Sequence, residues 1–400
     1  MKVAIINPFG SSSGHSLNYS TKLCYNLAKQ DVDLYLFTSK DYNPSIILGE
    51  KKLNYKIICT EVKNNTAFNK NYKEIASLLK YGINLIRGNF KVLKHVRKIN
   101  REEKLDIIHI IGGETLVSIL FFFLYPKQES QLILTIHNSD FEKDLYKKVS
   151  LLKEFYKRII KFMLEKFFFY RFSKIMVHGE QMKRDLVHQV KIKDQSKIFP
   201  INIGLDANNH FDSRDYQKTS DVPRILFFGV IRKDKGLDIL LEAIKKLSHD
   251  NFELLICGKP AEYSIQEIET LIDSTGKSQS ITQILRYFDD EEIDGVFNGC
   301  DYVILPYMKT FKAQSVVLTL AAAYKRTLIC SDTGQNGFDV KKYNLGHTFA
   351  AEDIDDLTKL LQSVIDKKIL PIKETAIFDE YINDNSWENM GRKIFNMYLQ

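Results

Sequence analysis

Short apolar runs alternate with longer stretches of helical periodicity along the chain. Lys2–Ile6 is a buried-strand pattern, followed by a Gly/Ser-rich turn and a helical pattern from Leu17 to Lys29. Further strands are expected at Val32–Phe37, Asp106–Ile111, Gln131–Ile136 and Lys174–Val177, with helical segments between them. Their apolar positions run continuously rather than alternating, which suits a parallel sheet covered on both faces. Strand, turn, helix, repeated, is the signature of a doubly wound α/β fold.

The pattern then restarts. Residues 207–223 are polar and aperiodic and read as a linker. After them come an apolar run over Arg224–Gly229, a loop, a helix from Leu237 to Leu247, and strands at Phe252–Cys257, Tyr302–Leu305 and Thr327–Cys330. The chain closes with Ser386-Trp387-Glu388 opening a helix to Leu399. We therefore expect an α/β protein of two Rossmann-like domains: residues 1–205, completed by the helix at 386–400, and residues 206–385. Two such domains present their strand C-termini to a cleft, where ligands of open α/β sheets sit.

Composition narrows the class. The 400 residues are 44% hydrophobic and 27% charged, as in ordinary globular proteins. The net charge of +7 permits attraction to phosphate-bearing ligands or an anionic membrane without requiring either. Five cysteines, at 24, 59, 257, 300 and 330, form no CxxC pair, which argues against a zinc site or a disulfide framework and for a reducing compartment. The longest apolar run, Leu116–Tyr125 with Ser118 inside it, is about half the ~20 residues a spanning helix needs. A cytoplasmic protein is expected, with peripheral contact at the inner face of the cell membrane still open to it.

Four places could carry chemistry. The loop from Gly10 to Gly14 lets backbone N–H groups approach an anion at a helix N-terminus, although a generic βα turn looks almost the same. The segment Gly229-Val230-Ile231-Arg232-Lys233-Asp234-Lys235-Gly236 sets three cations at a strand end, where Arg offers a planar fork and Lys a point charge to a diphosphate. His137 directly follows a buried strand and is placed for hydrogen bonding or proton transfer; His109, at another strand end, reads as a core histidine. Finally, Lys143–Lys174 holds ten Lys/Arg against three Asp/Glu, interleaved with aromatic residues. Part of it must pack as core, but the excess of Phe and of cations points to contact with an anionic bilayer through Lys157, Arg158, Lys161 and Phe162. A nucleic-acid module is absent, as is the G-x-G-x-x-G fingerprint of a nicotinamide-dependent oxidoreductase.

Several segments in order resemble the GT-B glycosyltransferases, specifically the retaining family 4. Phe227-Phe228-Gly229-x-x-Arg232-x-x-Lys235-Gly236-Leu237-Asp238 is similar to the opening of that family's donor domain. Ile198–Asp206 resembles its interdomain segment. Arg286–Glu292 with Cys300–Tyr307, then Thr327–Gly334, resemble its donor-side segments, and the Trp387 helix resembles the one that crosses back to the first domain. The resemblance implies that Arg232 and Lys235 hold the donor diphosphate and act in catalysis with His137. Gly10, Gly14 and Gly229 would lie by the phosphates, and backbone near Arg286 and Tyr287 would meet the nucleobase. It implies a UDP- or GDP-linked sugar as co-substrate, with no metal and no cofactor.

One departure stands out. The two Glu residues eight apart that the family carries before this last strand correspond to Lys312 and Leu320. Residues 313–321 instead resemble a branch reading Q-S-G-V, common in enzymes of bacterial surface polysaccharides, with Val316 in place of its Gly. Either Lys312, Gln314 and Ser315 hold the donor, or donor chemistry has been lost. The expected function is therefore transfer of a sugar, with retention, to a lipid-linked or membrane-presented glycan in capsule, exopolysaccharide or O-antigen assembly. The alternative is a non-catalytic partner or glycan-binding protein of the same fold; an epimerase acting on the free donor is a further one.

Overall fold

A computed structural model describes residues 1–7, 14–49, 51–60, 75–112, 116–126, 130–137, 151–190, 192, 194–205, 216, 218 and 220–400. The chain forms two compact units, Met1–Gly204 with Trp387–Gln400, and Leu205–Ser386.

The first unit contains β1 (Lys2–Ile6), α1 (Gly14–Leu27), β2 (Asp33–Ser39), α2 (Ser45–Leu48), β3 (Lys56–Thr60), α3 (Ile75–Glu103), β4 (Ile107–Ile111), α4 (Leu116–Leu124), β5 (Gln131–Ile136), α5 (Leu151–Met163), a π-helical turn (Leu164–Phe168), α6 (Phe169–Arg171), β6 (Lys174–Val177), α7 (Glu180–Val190) and β7 (Ile198–Pro200). Its strands form one parallel sheet in the order β3-β2-β1-β4-β5-β6-β7. Alternate residues of β1 enter different cores: Ala4 and Ile6 on one face, Val3 and Ile5 on the other. This is why the strand reads as a continuous apolar run.

The second unit contains β8 (Arg224–Phe228), a 3-10 turn (Lys233–Lys235), α8 (Leu237–Lys245), β9 (Glu253–Cys257), α9 (Ile265–Asp273), β10 (Ile281–Ile284), α10 (Asp290–Asn298), β11 (Tyr302–Leu305), α11 (Val316–Ala323), β12 (Thr327–Ser331), α12 (Gly334–Lys342), β13 (Gly346–Phe349), α13 (Ile354–Ile365) and α14 (Thr375–Asp384). The sheet order is β10-β9-β8-β11-β12-β13, again parallel. In both sheets the order reverses beside the first strand, at β1/β4 and β8/β11, the switch point at which such sheets bind ligands.

The last helix, α15 (Trp387–Leu399), returns to the first unit. Trp387 lies flat on Gly204, where any Cβ would sit 2.4 Å from the indole. At the far end the Tyr398 hydroxyl bonds His109 Nδ1 at 2.7 Å. His109 is fully buried, its Nε2 lies 2.6 Å from Thr135 Oγ1, and burial pushes its pKa down to about 3. It is the neutral core histidine that its position suggested.

Two sequence expectations are corrected. The segment 207–223 is not a free linker where it is described. Tyr216 O accepts from Arg224 Nη1 at 2.8 Å, and Lys218 pairs with Asp301 at 2.6 Å, tying it to the starts of the central strands β8 and β11. Lys143–Lys174 is not one helix: 143–150 lie outside the described residues, and helix begins at Leu151 and is interrupted by the π-helical turn. Its apolar residues divide, with Ile160, Met163, Leu164 and Phe172 buried and Phe155, Phe162, Phe167 and Tyr170 exposed.

Candidate active site

The cationic loop after β8 is shaped by a close approach. Gly229 has φ +101°, and a Cβ there would lie 2.9 Å from Lys235 Nζ, so only glycine lets the ammonium fold back over the strand end. The Lys233–Lys235 turn closes with Lys235 N–H on Arg232 O at 3.1 Å, and Met308 N–H on Asp234 O at 3.0 Å fastens it to the end of β11. Lys235 is thereby 7% exposed, with its ammonium 5.5 Å from the centre of the Tyr307 ring. Among the described residues no carboxylate forms an ion pair with it. Burial, and secondarily the Arg232 charge, lowers its pKa to about 8, while Asp234 opposes that shift. A desolvated ammonium with no paired anion is a site at which an incoming anion gains more than it would in water.

Arg232 is the partly exposed neighbour. Its Nε and Nη2 fork onto Asp234 at 3.0 and 3.2 Å, and its guanidinium stands 5.9 Å from the Phe311 ring centre. Two of its five donors are thus used to hold the plane, and the remaining ones lie outside that fork.

Tyr307 links this loop to the segment where the two carboxylates are missing. Its hydroxyl is 3.0 Å from Ser315 Oγ. Ser315 caps α11 by accepting from Val317 N–H at 3.2 Å. Asn336, two residues into α12, clamps the same segment: Oδ1 accepts from Ser315 N–H at 2.8 Å, and Nδ2 donates to Ala313 O at 3.0 Å. Gln314 turns inward. It is 5% exposed and donates to the buried Tyr381 hydroxyl at 3.2 Å, so its side chain serves the core here. Lys312 is partly exposed, Val316 is 39% exposed, and Leu320 packs on the core.

Arg286 and Tyr287 follow β10. The Arg286 guanidinium is taken by Glu292, with Nη1 at 2.8 Å from Oε2 and Nη2 bonded to Oε1. Glu292 also completes the α10 capping box with Asp289. The Tyr287 side chain is 70% exposed. The structure thus brings Gly229, Arg232, Lys235, Lys312, Gln314 and Ser315 into one neighbourhood at the ends of β8 and β11, with Arg286 and Tyr287 at the end of the edge strand.

The first unit holds the other candidates. Gly10 lies outside the described residues, and Gly14 is the first residue of α1. His137 and His178 follow the paired ends of β5 and β6, where Ile136 aligns with Val177. His137 Nδ1 lies 3.0 Å from His178 Nε2, with Tyr19 edge-on to both rings. Sequence reasoning missed His178, Tyr307, Asp234 and Asn336. His178 could have been found by applying to it the strand-end rule that singled out His137. Asn336 and Tyr307 act through contacts that no local pattern reveals.

With this geometry in place, two family profiles match the chain: Glycosyltransferase Family 4 over residues 18–209, and Glycosyl transferases group 1 over residues 208–383. The chain belongs to the GT-B glycosyltransferases of family 4. It is 24% identical over 201 residues to a GDP-mannose:glycolipid 4-beta-D-mannosyltransferase of Xanthomonas campestris, a match covering 49% of this chain and 55% of the relative. The chain spans about half the length of such curated relatives. Among solved structures, sucrose-phosphate synthase from Thermosynechococcus elongatus superposes with a TM-score of 0.75 at 17% identity, covering 100% of this chain and 98% of the other. Anabaena HepE, in complex with UDP and glucose, gives 0.66 at 12% identity, covering 99% and 98%. These likenesses establish the GT-B fold of the glycosyltransferase.

Proposed function

We propose that this glycosyltransferase moves a hexose from a UDP- or GDP-sugar to a lipid-linked or membrane-presented glycan, with retention at the anomeric carbon, in the assembly of a bacterial surface polysaccharide. The carrying observation is Lys235: a buried ammonium at a switch-point strand end, lacking an ion-pair partner among the described residues, beside a half-open Arg232. When the bond between the anomeric carbon and the diphosphate oxygen breaks, its electron pair stays on that oxygen. The acceptor hydroxyl oxygen forms the new bond on the same face and passes its proton to the departing diphosphate oxygen. Charge grows on the departing diphosphate, so fixed cations there favour the transition state over the ground state. Lys235 acts as a desolvated point charge and Arg232 as a planar fork pre-set by Asp234. These cations neutralise the leaving group, and the proposal requires no cofactor. His137, carried by the first unit, serves as a hydrogen-bonding partner of the transferred sugar.

The acceptor class is supported by a surface of the first unit. On α3, Arg87, Lys91, Lys94, Lys98 and Arg101 recur at 4-3-4-3 spacing and are all exposed. Lys91, Lys94, Lys98 and Arg101 border a groove of about 960 Å3 that Phe90 and Leu124 also line. The α4 end continues into α5 and its π-helical turn through Phe122 on Phe167 and Phe162 on Phe167, with Phe123, Phe162 and Tyr170 exposed. Arg158 is exposed, Lys161 is partly so, and the Lys157 side chain lies outside the described residues. Cations framing exposed aromatics are what an interfacial protein presents to anionic lipid. No helix among the described residues is long and apolar enough to cross a membrane.

Titration calorimetry with UDP and GDP, together with radiolabelled transfer from a donor panel to membrane extract, tests the reading. Arg232→Ala and Lys235→Ala should each lose roughly 2–4 kcal/mol of transition-state stabilisation. Rates within tenfold of wild type would remove these cations from the leaving group. The anomeric configuration of the product, read by NMR, decides retention. A second reading, a non-catalytic partner of the same fold, is favoured by Lys312 and Leu320 standing where carboxylates are usual and by the inward Gln314. It predicts no nucleotide binding and no transfer.

A further inference from the structure

The mechanism above uses His137 but leaves His178 unexplained. His178 is completely buried, and its two ring nitrogens face groups of different character. Nδ1 lies 3.1 Å from the Ile201 carbonyl oxygen, which can only accept; Nδ1 therefore carries a proton. Nε2 lies 3.0 Å from His137 Nδ1, with the Tyr19 hydroxyl more distant at 3.5 Å. Burial favours the uncharged ring, whose second nitrogen is then an acceptor. With His178 uncharged, the proton between the two imidazoles sits on His137 Nδ1.

We infer that His178 is a positioning residue for the transfer reaction: it holds His137 in the Nδ1–H tautomer and leaves His137 Nε2 as the proton-free nitrogen, able to accept from a sugar hydroxyl. The relay Ile201 carbonyl, His178, His137 is anchored on backbone at one end. It runs across adjacent strands whose ends are in register, so rotating either ring breaks a buried hydrogen bond. A metal-ligating histidine is oriented in the same manner by the partner of its other nitrogen. The inference rests on the catalytic reading of His137, and its test separates the two.

The test is nitrogen-15 NMR of the imidazoles in the full chain at neutral pH, with His137 assigned from the signals that vanish in His137→Gln. The wild type should show His137 protonated at Nδ1 and bare at Nε2; the reverse pattern overturns the inference without any variant. His178→Leu removes the acceptor and should shift His137 toward the Nε2–H form. It should also lower kcat about tenfold to a hundredfold, the cost typical of losing an orienting partner, while the donor KM moves little. In His178→Gln, the side-chain oxygen can accept the same proton and the amide can reach Ile201 O, so tautomer and most of the rate should recover. A folded His178→Leu with unchanged tautomer and rate refutes the role. If the tautomer shifts but both His178→Leu and His137→Ala transfer sugar at the wild-type rate, the positioning stands and the catalytic reading of His137 fails.

Discussion

Lys235 shows how burial turns an ordinary charge into a tuned one. Three cations stand within four residues, and only one of them is buried: Lys233 reaches toward the Tyr263 ring and Arg232 pairs with Asp234, while Lys235 folds over Gly229. With its pKa lowered to about 8, Lys235 is protonated below that pH and loses its proton above it. Affinity for UDP or GDP should therefore weaken as pH rises through about 8 to 9, since the neutral amine no longer attracts the diphosphate. Lys235→Arg should remove the slope, because guanidinium stays charged throughout that range. Calorimetry across pH 6.5–9.5 checks this; a wild-type profile as flat as that of the arginine variant would contradict it. The sequence marked the trio of cations. It could not tell which one would be desolvated, because that depends on Tyr307, contributed by the end of a strand some seventy residues away.

The segment between β11 and α11 is held as a unit by α12. Asn336 makes both an acceptor bond to the buried Ser315 N–H and a donor bond to Ala313 O. Asn336→Ala leaves that N–H unsatisfied and should destabilise the fold by about 1–3 kcal/mol. Asn336→Asp keeps the acceptor but sets a buried carboxylate oxygen against Ala313 O in place of the amide donor, and should cost at least as much. Urea denaturation measures both, and the donor KM should rise in the alanine variant because Ser315 and Lys312 lose their support. Equal stability of the alanine variant and wild type would show that the clamp is idle. Legibility at this level follows burial. Every interior strand of both sheets was readable as an apolar run, whereas the four edge strands, β3, β7, β10 and β13, were not. An edge strand is half exposed and short, so Lys56-Ile-Ile-Cys-Thr60 and Gly346-His-Thr-Phe349 carry too few consecutive apolar residues to stand out.

Across the molecule, charge and apolar exposure are unevenly distributed. The cationic stripe of α3 and the exposed aromatics of α4, α5 and the π-helical turn share one unit. If this face meets anionic lipid, each cation contributes ~1 kcal/mol. Replacing Lys91, Lys94 and Arg101 with Gln should then weaken binding to phosphatidylserine-containing vesicles by roughly a hundredfold. Wild-type binding should fall as salt screens the attraction. Co-sedimentation tests both; vesicle binding indifferent to the substitutions and to salt would assign the face another use. The α5 half of this surface was visible from composition. The α3 half was not, because its stripe emerges only when helical phase decides which cations face outward.

The order of residues along this chain determined the class of fold, the two-unit plan and the family. All three depend on the buried interiors of parallel strands and on short segments whose residues act beside one another in sequence. Tertiary structure alone decided which cation is desolvated, that Gln314 turns inward, that Asn336 holds the segment between β11 and α11, and that His137 has His178 behind it. Each of these rests on groups far apart in the chain that meet only once the strands lie in register, because dielectric environment and hydrogen-bond geometry are properties of that packing and of no local pattern.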